Sequence, residues 1–259
     1  MTVREALREA ERRLAAAGLE TPRVDAELLV AHALGVSRTG LYADLDATVE
    51  GIEPLLARRE AREPLAYVLG EWGFRRLILK TDRRALVPRP ETEIVVERVL
   101  ALLEGTADPR VLDVGVGSGA IALALKDERP DVRVTGVDVD MGALALAQEN
   151  AACLGLAVEL RTGGLETAAE GWDLVVSNPP YVESLAGLQP ELGYEPSGAL
   201  LGAGFHELIA DVARTRFLVL EVGDGQAETV ADALRAAGYG DVRITADLAS
   251  VDRVVEGAR

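Results

Sequence analysis

Two stretches of this 259-residue chain carry residue types at spacings that chemistry uses. The first reads Asp113-Val114-Gly115-Val116-Gly117-Ser118-Gly119-Ala120. It lies between VLDVG (111–115), a short apolar strand, and AIALALKDE (120–128), a helix. Glycine lets a backbone turn tightly and approach a ligand where a Cβ would clash. The helix start that follows offers unpaired N–H groups. Asp138 closes the next strand, 23 residues after Gly115. A carboxylate there is placed to accept hydrogen bonds from a ribose diol. Two ligands satisfy this pattern, a dinucleotide and S-adenosylmethionine. Asp113 is expected to separate them, because a carboxylate two residues before the first glycine would repel a pyrophosphate and favour ammonium and sulfonium charge. A glycine turn without a ligand is the competing reading.

The second stretch is Asn178-Pro179-Pro180-Tyr181, directly after the strand WDLVVS (172–177). Ligands of open α/β sheets bind at the carboxyl ends of strands. Proline fixes its own φ and pushes the residue before it to extended geometry. The corner is therefore stiff, and it holds two acceptors, the Asn178 carboxamide and the Pro179 carbonyl. Both can receive N–H bonds from a planar –NH2 group, with Tyr181 expected as an aromatic wall. Such a corner suits methylation of an amide or an exocyclic amine. The lone pair of that nitrogen is delocalised, so fixing its plane and aiming it at the methyl carbon is what helps most. No catalytic His or Cys is required. A rigid loop that only ends a strand is the alternative.

The elements that must position these residues alternate. Strands at 111–115, 132–139, 158–160, 172–177 and 217–223 are separated by helices at 120–128 and 141–155. A helix at 227–238 and a closing hairpin follow. That rhythm implies a mostly parallel sheet covered on both faces. Upstream, the spacing predicts helices at 3–17, 22–34, 53–62 and 91–104, with a hairpin over 70–80. Thr21 reads as an N-cap, Pro22 as the first helical residue and Gly35 as the stop.

Composition narrows the class. The chain is 49% hydrophobic with a net charge of -16. Residues 1–90 are nearly neutral, and residues 91–259 carry almost all the negative charge. An acidic body disfavours general nucleic-acid binding, and the charge shift suggests a boundary near residue 90. One cysteine, Cys153, excludes a disulfide framework, and two histidines, His32 and His206, offer little to a metal. Neither a signal peptide nor a membrane span is recognisable, so a soluble, cytoplasmic protein is expected.

Taken together, these residues resemble a known family. The chain is similar to the class I S-adenosylmethionine-dependent methyltransferases and, within them, to the HemK/PrmC protein-glutamine methyltransferases. PRVDAELLVAHALGVSR (22–38) and EPLAYVLGEWGF (63–74) resemble the family's N-terminal domain. LVPRPETEIVVE (86–97) resembles its linker motif, and LDVGVGSGAIALAL, VVSNPPYV and DLASVDRVV complete a match that runs nearly end to end. The resemblance implies an α/β fold, a Rossmann-like seven-stranded sheet with a small N-terminal helical domain and a linking β-hairpin. The implied parts are a substrate-binding domain over 1–69, a hairpin and linker over 70–90 and a methyltransferase domain over 91–259. It implies cofactor contacts at Gly115, Val116, Gly117, Ser118, Gly119, Asp138 and Asn178, and catalysis at Asn178, Pro179, Pro180 and Tyr181, without a metal. The implied substrate is the glutamine side-chain amide in the Gly-Gly-Gln motif of peptide chain release factors 1 and 2. The sequence departs from the family in three places. Val116 stands where Thr is usual, and Gly163-Gly164 stand where an acid and an aromatic flank the adenine. After Tyr181 the chain is shortened, though QPELGYEPSGALLGAG keeps Tyr-Glu-Pro and the glycine-rich patch.

Other residues admit two readings. Arg75, Arg76, Lys80, Arg83, Arg84 and Arg89 crowd a segment whose one acid is Asp82. They form either a solvated face or a docking strip for an acidic partner. His32 and Cys153 read as structural, Trp72 and Phe74 as core, and Glu195 and Glu221 as acids that could face the site. An amino-methyltransferase acting on a ribosomal-protein glutamine or on adenine in nucleic acid is the alternative enzyme. A cofactor-binding partner protein of the translation machinery is the non-enzymatic one.

Overall fold

The computed structural model describes every residue except Glu183, Leu185 and Ala186. The chain forms two compact units, residues 1–71 with 188–194 and residues 72–187 with 195–259. The division falls after Glu71 and not at the charge shift near residue 90, because the hairpin shares the core of the second unit.

The first unit is helical: α1 (Val3–Ala16), α2 (Pro22–Leu34), α3 (Ile52–Glu60) and the short α4 (Leu65–Leu69). A capping box starts α1, with Glu5 N donating to Thr2 Oγ1 at 3.2 Å and Thr2 N donating to Glu5 Oε2 at 2.9 Å. In α2, Pro22 is the first residue and Gly35 closes the helix in the left-handed region, as expected. Thr21, however, makes no cap bond, because its hydroxyl donates to Asp25 Oδ1. Asp25 and Arg59 are buried as an ion pair at 2.7 Å. Arg59 also reaches Glu191 at 3.0 Å, and Arg62 does so at 2.7 Å. These charges tie residues 188–194 to the helices, a long-range link that no local pattern announces.

The second unit begins one residue into β1 (Glu71–Phe74), which forms a hairpin with β2 (Leu77–Lys80) and is followed by α5 (Thr92–Leu102). Then come β3 (Arg110–Val114), α6 (Ala120–Glu128), β4 (Arg133–Asp138), α7 (Met141–Leu154), β5 (Glu159–Thr162) and β6 (Trp172–Ser177). The chain ends with α8 (Ser197–Leu200), α9 (Phe205–Val212), β7 (Thr215–Glu221), α10 (Ala227–Ala236), β8 (Asp241–Ala246) and β9 (Asp252–Ala258). The seven-stranded sheet has the order β5-β4-β3-β6-β7-β9-β8. Its first five strands are parallel, and β9 pairs antiparallel with both β7 and β8. One apolar layer combines α5, α6 and α7 with Phe74, Leu77 and Leu79 of the hairpin; the other combines α9 and α10. Phe74 is thus core as expected, Trp72 is half-buried, and His32 and Cys153 are exposed.

Gly136 lies at the centre of β4, where a Cβ would come within 2.6 Å of Val116 Cγ2 and 2.9 Å of Leu160 Cδ2. Overpacking of this kind costs about 1–3 kcal/mol. Gly136→Ala should lower the unfolding free energy by that amount in a denaturant titration.

Candidate active site

The strand order reverses around β3, with β4 on one side and β6 on the other. α6, which follows β3, covers one face of the sheet, and α9, which follows β6, covers the other. A crevice must open between the two departing chains. It is a cavity of about 520 Å³, lined by residues of the second unit. Gly115, Val116, Gly117, Ser118, Asp138, Asn178, Pro179 and Pro180 all line it, so the glycine turn and the Asn-Pro-Pro corner share one space. Gly119 and Tyr181 do not.

The glycine turn is organised from within. Gly115 N and Val116 N both donate to Val137 O at 2.9 Å, Gly119 N donates to Val116 O at 2.8 Å, and Gly117 N donates to Asp138 Oδ2 at 3.0 Å. A pyrophosphate would find these donors already committed, so the dinucleotide reading loses its support. Asp113, expected to make that choice by facing the ligand, does not line the cavity. It is buried behind the turn, where Oδ2 accepts from Ala122 N at 3.1 Å and Oδ1 has no partner among the described residues. Burial pushes its carboxyl up to about 7. Gly119 serves packing: its φ is +88°, and a Cβ would meet Leu123 Cδ1 at 2.8 Å. Gly115, at φ +75°, faces open space and is exposed to the cavity.

Asp138 ends β4 half-buried, its Oδ1 accepting from Asp140 N at 2.9 Å. Each carboxylate oxygen has accepted one backbone N–H and keeps capacity for another donor, as a ribose diol requires. Beyond it, Val139 is 77% exposed and lines the cavity beside Gly163, Gly164, Leu165 and Glu166. A Cβ on Gly163 would come within 2.7 Å of Thr167 Oγ1. Position 163 therefore carries no acid, and the nearby carboxylate is that of Glu166, which accepts from Gly164 N at 2.8 Å. These features fit a nucleoside whose ribose meets Asp138 and whose base meets an apolar surface edged by an acceptor.

At the other wall, Asn178 Nδ2 donates to Thr92 Oγ1 at 3.3 Å, and Thr92 Oγ1 donates to Glu221 Oε2 at 2.6 Å. Pro180 is held by Gly202, where a Cβ would lie 2.7 Å from the Pro180 carbonyl oxygen. Tyr181 turns away from the cavity. Its ring lies against Gly223, stacks on His206 at 6.3 Å between centroids, and is half-buried with its hydroxyl pushed up to about 12 by burial. The aromatic side chain of the cavity wall is Phe205, at the start of α9. It follows the glycine-rich patch, the one local signal that could have found it. Glu195 is buried too. It accepts from Val87 N at 3.2 Å and from Arg89 Nη2 at 2.5 Å, which joins the Tyr-Glu-Pro segment to the linker. Asn150, which nothing in the pattern singled out, pins β2 to the glycine turn. Its Oδ1 accepts from Lys80 N at 2.8 Å, and its Nδ2 donates to Ser118 O at 2.9 Å.

The basic strip is neutralised by the chain's own acids. Arg75 pairs with Glu128 and Glu97, Arg76 with Asp127, Lys80 and Arg84 with Glu149, and Arg84 also with Asp82. Arg75 is moreover the hairpin turn, with φ +50° and its N–H donating to Glu93 Oε1 at 2.9 Å. These pairings favour the reading of the strip as a solvated, largely compensated face.

Sheet order, glycine turn and cavity define a methyltransferase of class I. A methyltransferase small domain model matches residues 92–191, and a PrmC N-terminal domain model matches residues 5–70. The hMettl16 catalytic domain, solved with an RNA hairpin, shares the fold at a TM-score of 0.57 and 15% identity, over 79% of this chain and 80% of that one. Among curated proteins, the release factor glutamine methyltransferase of Caulobacter vibrioides is 38% identical over 100% of this chain and 97% of its own. That of Geobacter sulfurreducens is 40% identical over 99% and 96%. The chain belongs to the release factor glutamine methyltransferase family. Among the described residues no helix is long and apolar enough to cross a membrane.

Asp113 supplies a pH test. A free Asp titrates near ~3.9, and burial pushes Asp113 up to about 7. Its folded pKa is raised, so its contribution to stability is complete below the unfolded value and is lost as pH rises through the folded one. Asp113→Asn keeps an acceptor for Ala122 N and cannot ionise. The stability of the wild type relative to this variant should therefore decline between pH 4 and 8, as read by chemical denaturation.

Proposed function

We propose that this protein transfers a methyl group from S-adenosylmethionine to the side-chain amide nitrogen of the glutamine in the Gly-Gly-Gln motif of class I peptide chain release factors 1 and 2. The observation that carries the reading is a single cavity whose walls hold both Asp138 and Asn178-Pro179-Pro180. The family relatives, named as release factor glutamine methyltransferases, support it.

When bound, S-adenosylmethionine supplies the electrophilic methyl group. Asp138 is the acceptor for its ribose hydroxyls. The turn from Gly115 to Ser118 forms the wall beside it, and Val139, Leu165 and Glu166 surround its base. Asn178 Oδ1 and the Pro179 carbonyl accept both N–H bonds of the glutamine amide. This fixes its plane and presents the nitrogen face-on. Positioning of this kind supplies several kcal/mol of the barrier. A nitrogen that has gained a carbon is acidic enough to release its proton to water, so the reaction needs no side-chain base. The helical unit formed by the first seventy residues is the part we assign to recognising the release factor. The reaction belongs to translation, hence to the cytoplasm.

Methyl transfer should be measured on whole release factor, on a Gly-Gly-Gln peptide and on adenine-containing DNA. Transfer to the two glutamine substrates and not to DNA is expected; the reverse preference overturns the reading. Asp138→Ala should weaken S-adenosylmethionine binding by about 1.5–3 kcal/mol, the usual cost of losing a charged hydrogen-bond acceptor, with the fold intact by circular dichroism. Asn178→Ala should lower kcat by roughly a hundredfold or more, because positioning is lost, while calorimetric affinity for S-adenosylmethionine stays within a few-fold.

A further inference from the structure

The acceptor role of Asn178 requires that its carboxamide turn Oδ1, and not Nδ2, toward the substrate. The two ends of a carboxamide are nearly the same size, so shape alone does not choose between them. The choice is made at the cavity wall, which Thr92 lines beside Asn178, by a contact that reaches back to Glu221. Asn178 Nδ2 meets Thr92 Oγ1 at 3.3 Å, and Thr92 Oγ1 meets Glu221 Oε2 at 2.6 Å. Thr92 is 4% exposed and Glu221 2%. A hydroxyl carries one proton, and an ionised carboxylate can only accept. The Thr92 proton is therefore spent on Glu221, and only oxygen lone pairs face Asn178. An Asn178 flipped the other way would set oxygen against oxygen.

We propose that Glu221, acting through the Thr92 hydroxyl, is a positioning residue that fixes the Asn178 carboxamide with Oδ1 toward the reacting amide. The inference rests on the glutamine-methylation reading above. A second observation supports it. Among the described residues no Lys or Arg forms a salt bridge with Glu221, although a buried acid without a counter-ion is costly. Its side-chain partner is Thr92, from α5, and its own strand, β7, lies next to β6, which ends one residue before Asn178. Neither Thr92 nor Glu221 needs to touch the substrate to act.

The relay depends on the charge of Glu221. Around it stand Glu91 and Arg89 on the linker side, Arg253 on β9, the Tyr181 hydroxyl, and His206, whose Nε2 lies 2.8 Å from the Glu221 main-chain oxygen. Burial outweighs the arginines and pushes the carboxyl up to about 7. Once protonated, Glu221 can donate to Thr92 Oγ1. The Thr92 proton is then free to turn to Asn178, and either end of the carboxamide is accepted. Methyl transfer should thus fall as pH drops through about 7, without a matching change in cofactor affinity.

The test uses the full chain, a synthetic Gly-Gly-Gln peptide and S-adenosylmethionine. Thr92→Val should lower kcat at least tenfold and abolish the acid limb of the pH profile. Its calorimetric Kd for S-adenosylmethionine should stay within twofold of wild type, and Thr92→Ser should recover kcat to within about threefold. Glu221→Gln, which keeps the shape and removes the charge, should also lose the acid limb. The proposal is overturned if Thr92→Val keeps wild-type kcat, if Thr92→Ser is as impaired as Thr92→Val, or if cofactor affinity collapses with kcat. A wild-type acid limb in Glu221→Gln overturns it as well. Asn178→Ala, measured alongside, separates the two levels. Wild-type kcat in that variant would sink the reading of the site itself, whereas its impairment with Thr92→Val intact would sink only the positioning inference.

Discussion

The parallel pairing of β3 with β6, from Val111 beside Leu174 to Val114 beside Ser177, is the constraint on which the site depends. Two neighbouring parallel strands end at the same level, and the chains leaving them go to opposite faces of the sheet. The gap between those chains cannot be filled by either, and this gap is the cavity. Ser177 seals its floor by donating its hydroxyl to Val114 O at 2.7 Å. The pairing also sets which residues face each other. The turn after β3 brings glycines and, through β4, Asp138; the corner after β6 brings Asn178.

Everything else near the cavity holds those two loops still. The glycine turn is tied to β4 through Val137 O and Asp138, and through Ser118 O to Asn150, which also grips β2. The Asn-Pro-Pro corner is braced by Thr92 from the linker side and by Gly202 from the glycine-rich patch. Three buried carboxylates take part. Asp113 and Glu221 are held well above the ordinary range by desolvation, and Glu195 is raised the same way while Arg89 counters it. Buried acids of this kind are costly to a fold. They sit around the two loops that line the cavity, consistent with the tendency of perturbed groups to collect at functional sites.

The glycine turn and the Asn-Pro-Pro corner were readable because each is a local device. Glycine and proline act through their own backbone, and no distant partner is needed to see what they do. The strand and helix rhythm of residues 110–177 was readable for the same reason, since periodicity is a property of neighbours; α6 and β6 fall where the pattern put them. Prediction faltered wherever a residue's role depends on something far along the chain. Phe205 and α9 follow a stretch broken by glycines, and what gives the helix its place is the packing of Ile209 and Ala210 against α10, further along the chain. Asp113 and Tyr181 stand beside functional residues in sequence, yet one side chain folds under α6 and the other against Gly223 and His206. Adjacency in sequence places a backbone, but a side chain goes where the surrounding elements leave room.

Charge shows the same division. The sequence by itself determined the fold class, the glycine turn, the stiff Asn-Pro-Pro corner and the resemblance to protein-glutamine methyltransferases, because these rest on local chemistry and short spacings. It could not say what the basic residues of 75–89 do. Their acids lie in distant elements, Glu128 and Asp127 at the end of α6 and Glu149 in α7, and only the tertiary structure brings them into contact. Nor could it tell that Glu221 stands behind Asn178, since 43 residues separate them and the link runs through Thr92 from the other side of the glycine turn. Hydrogen bonds and ion pairs act over about 3 Å whatever the distance along the chain, so which partners meet is decided by packing and not by pattern.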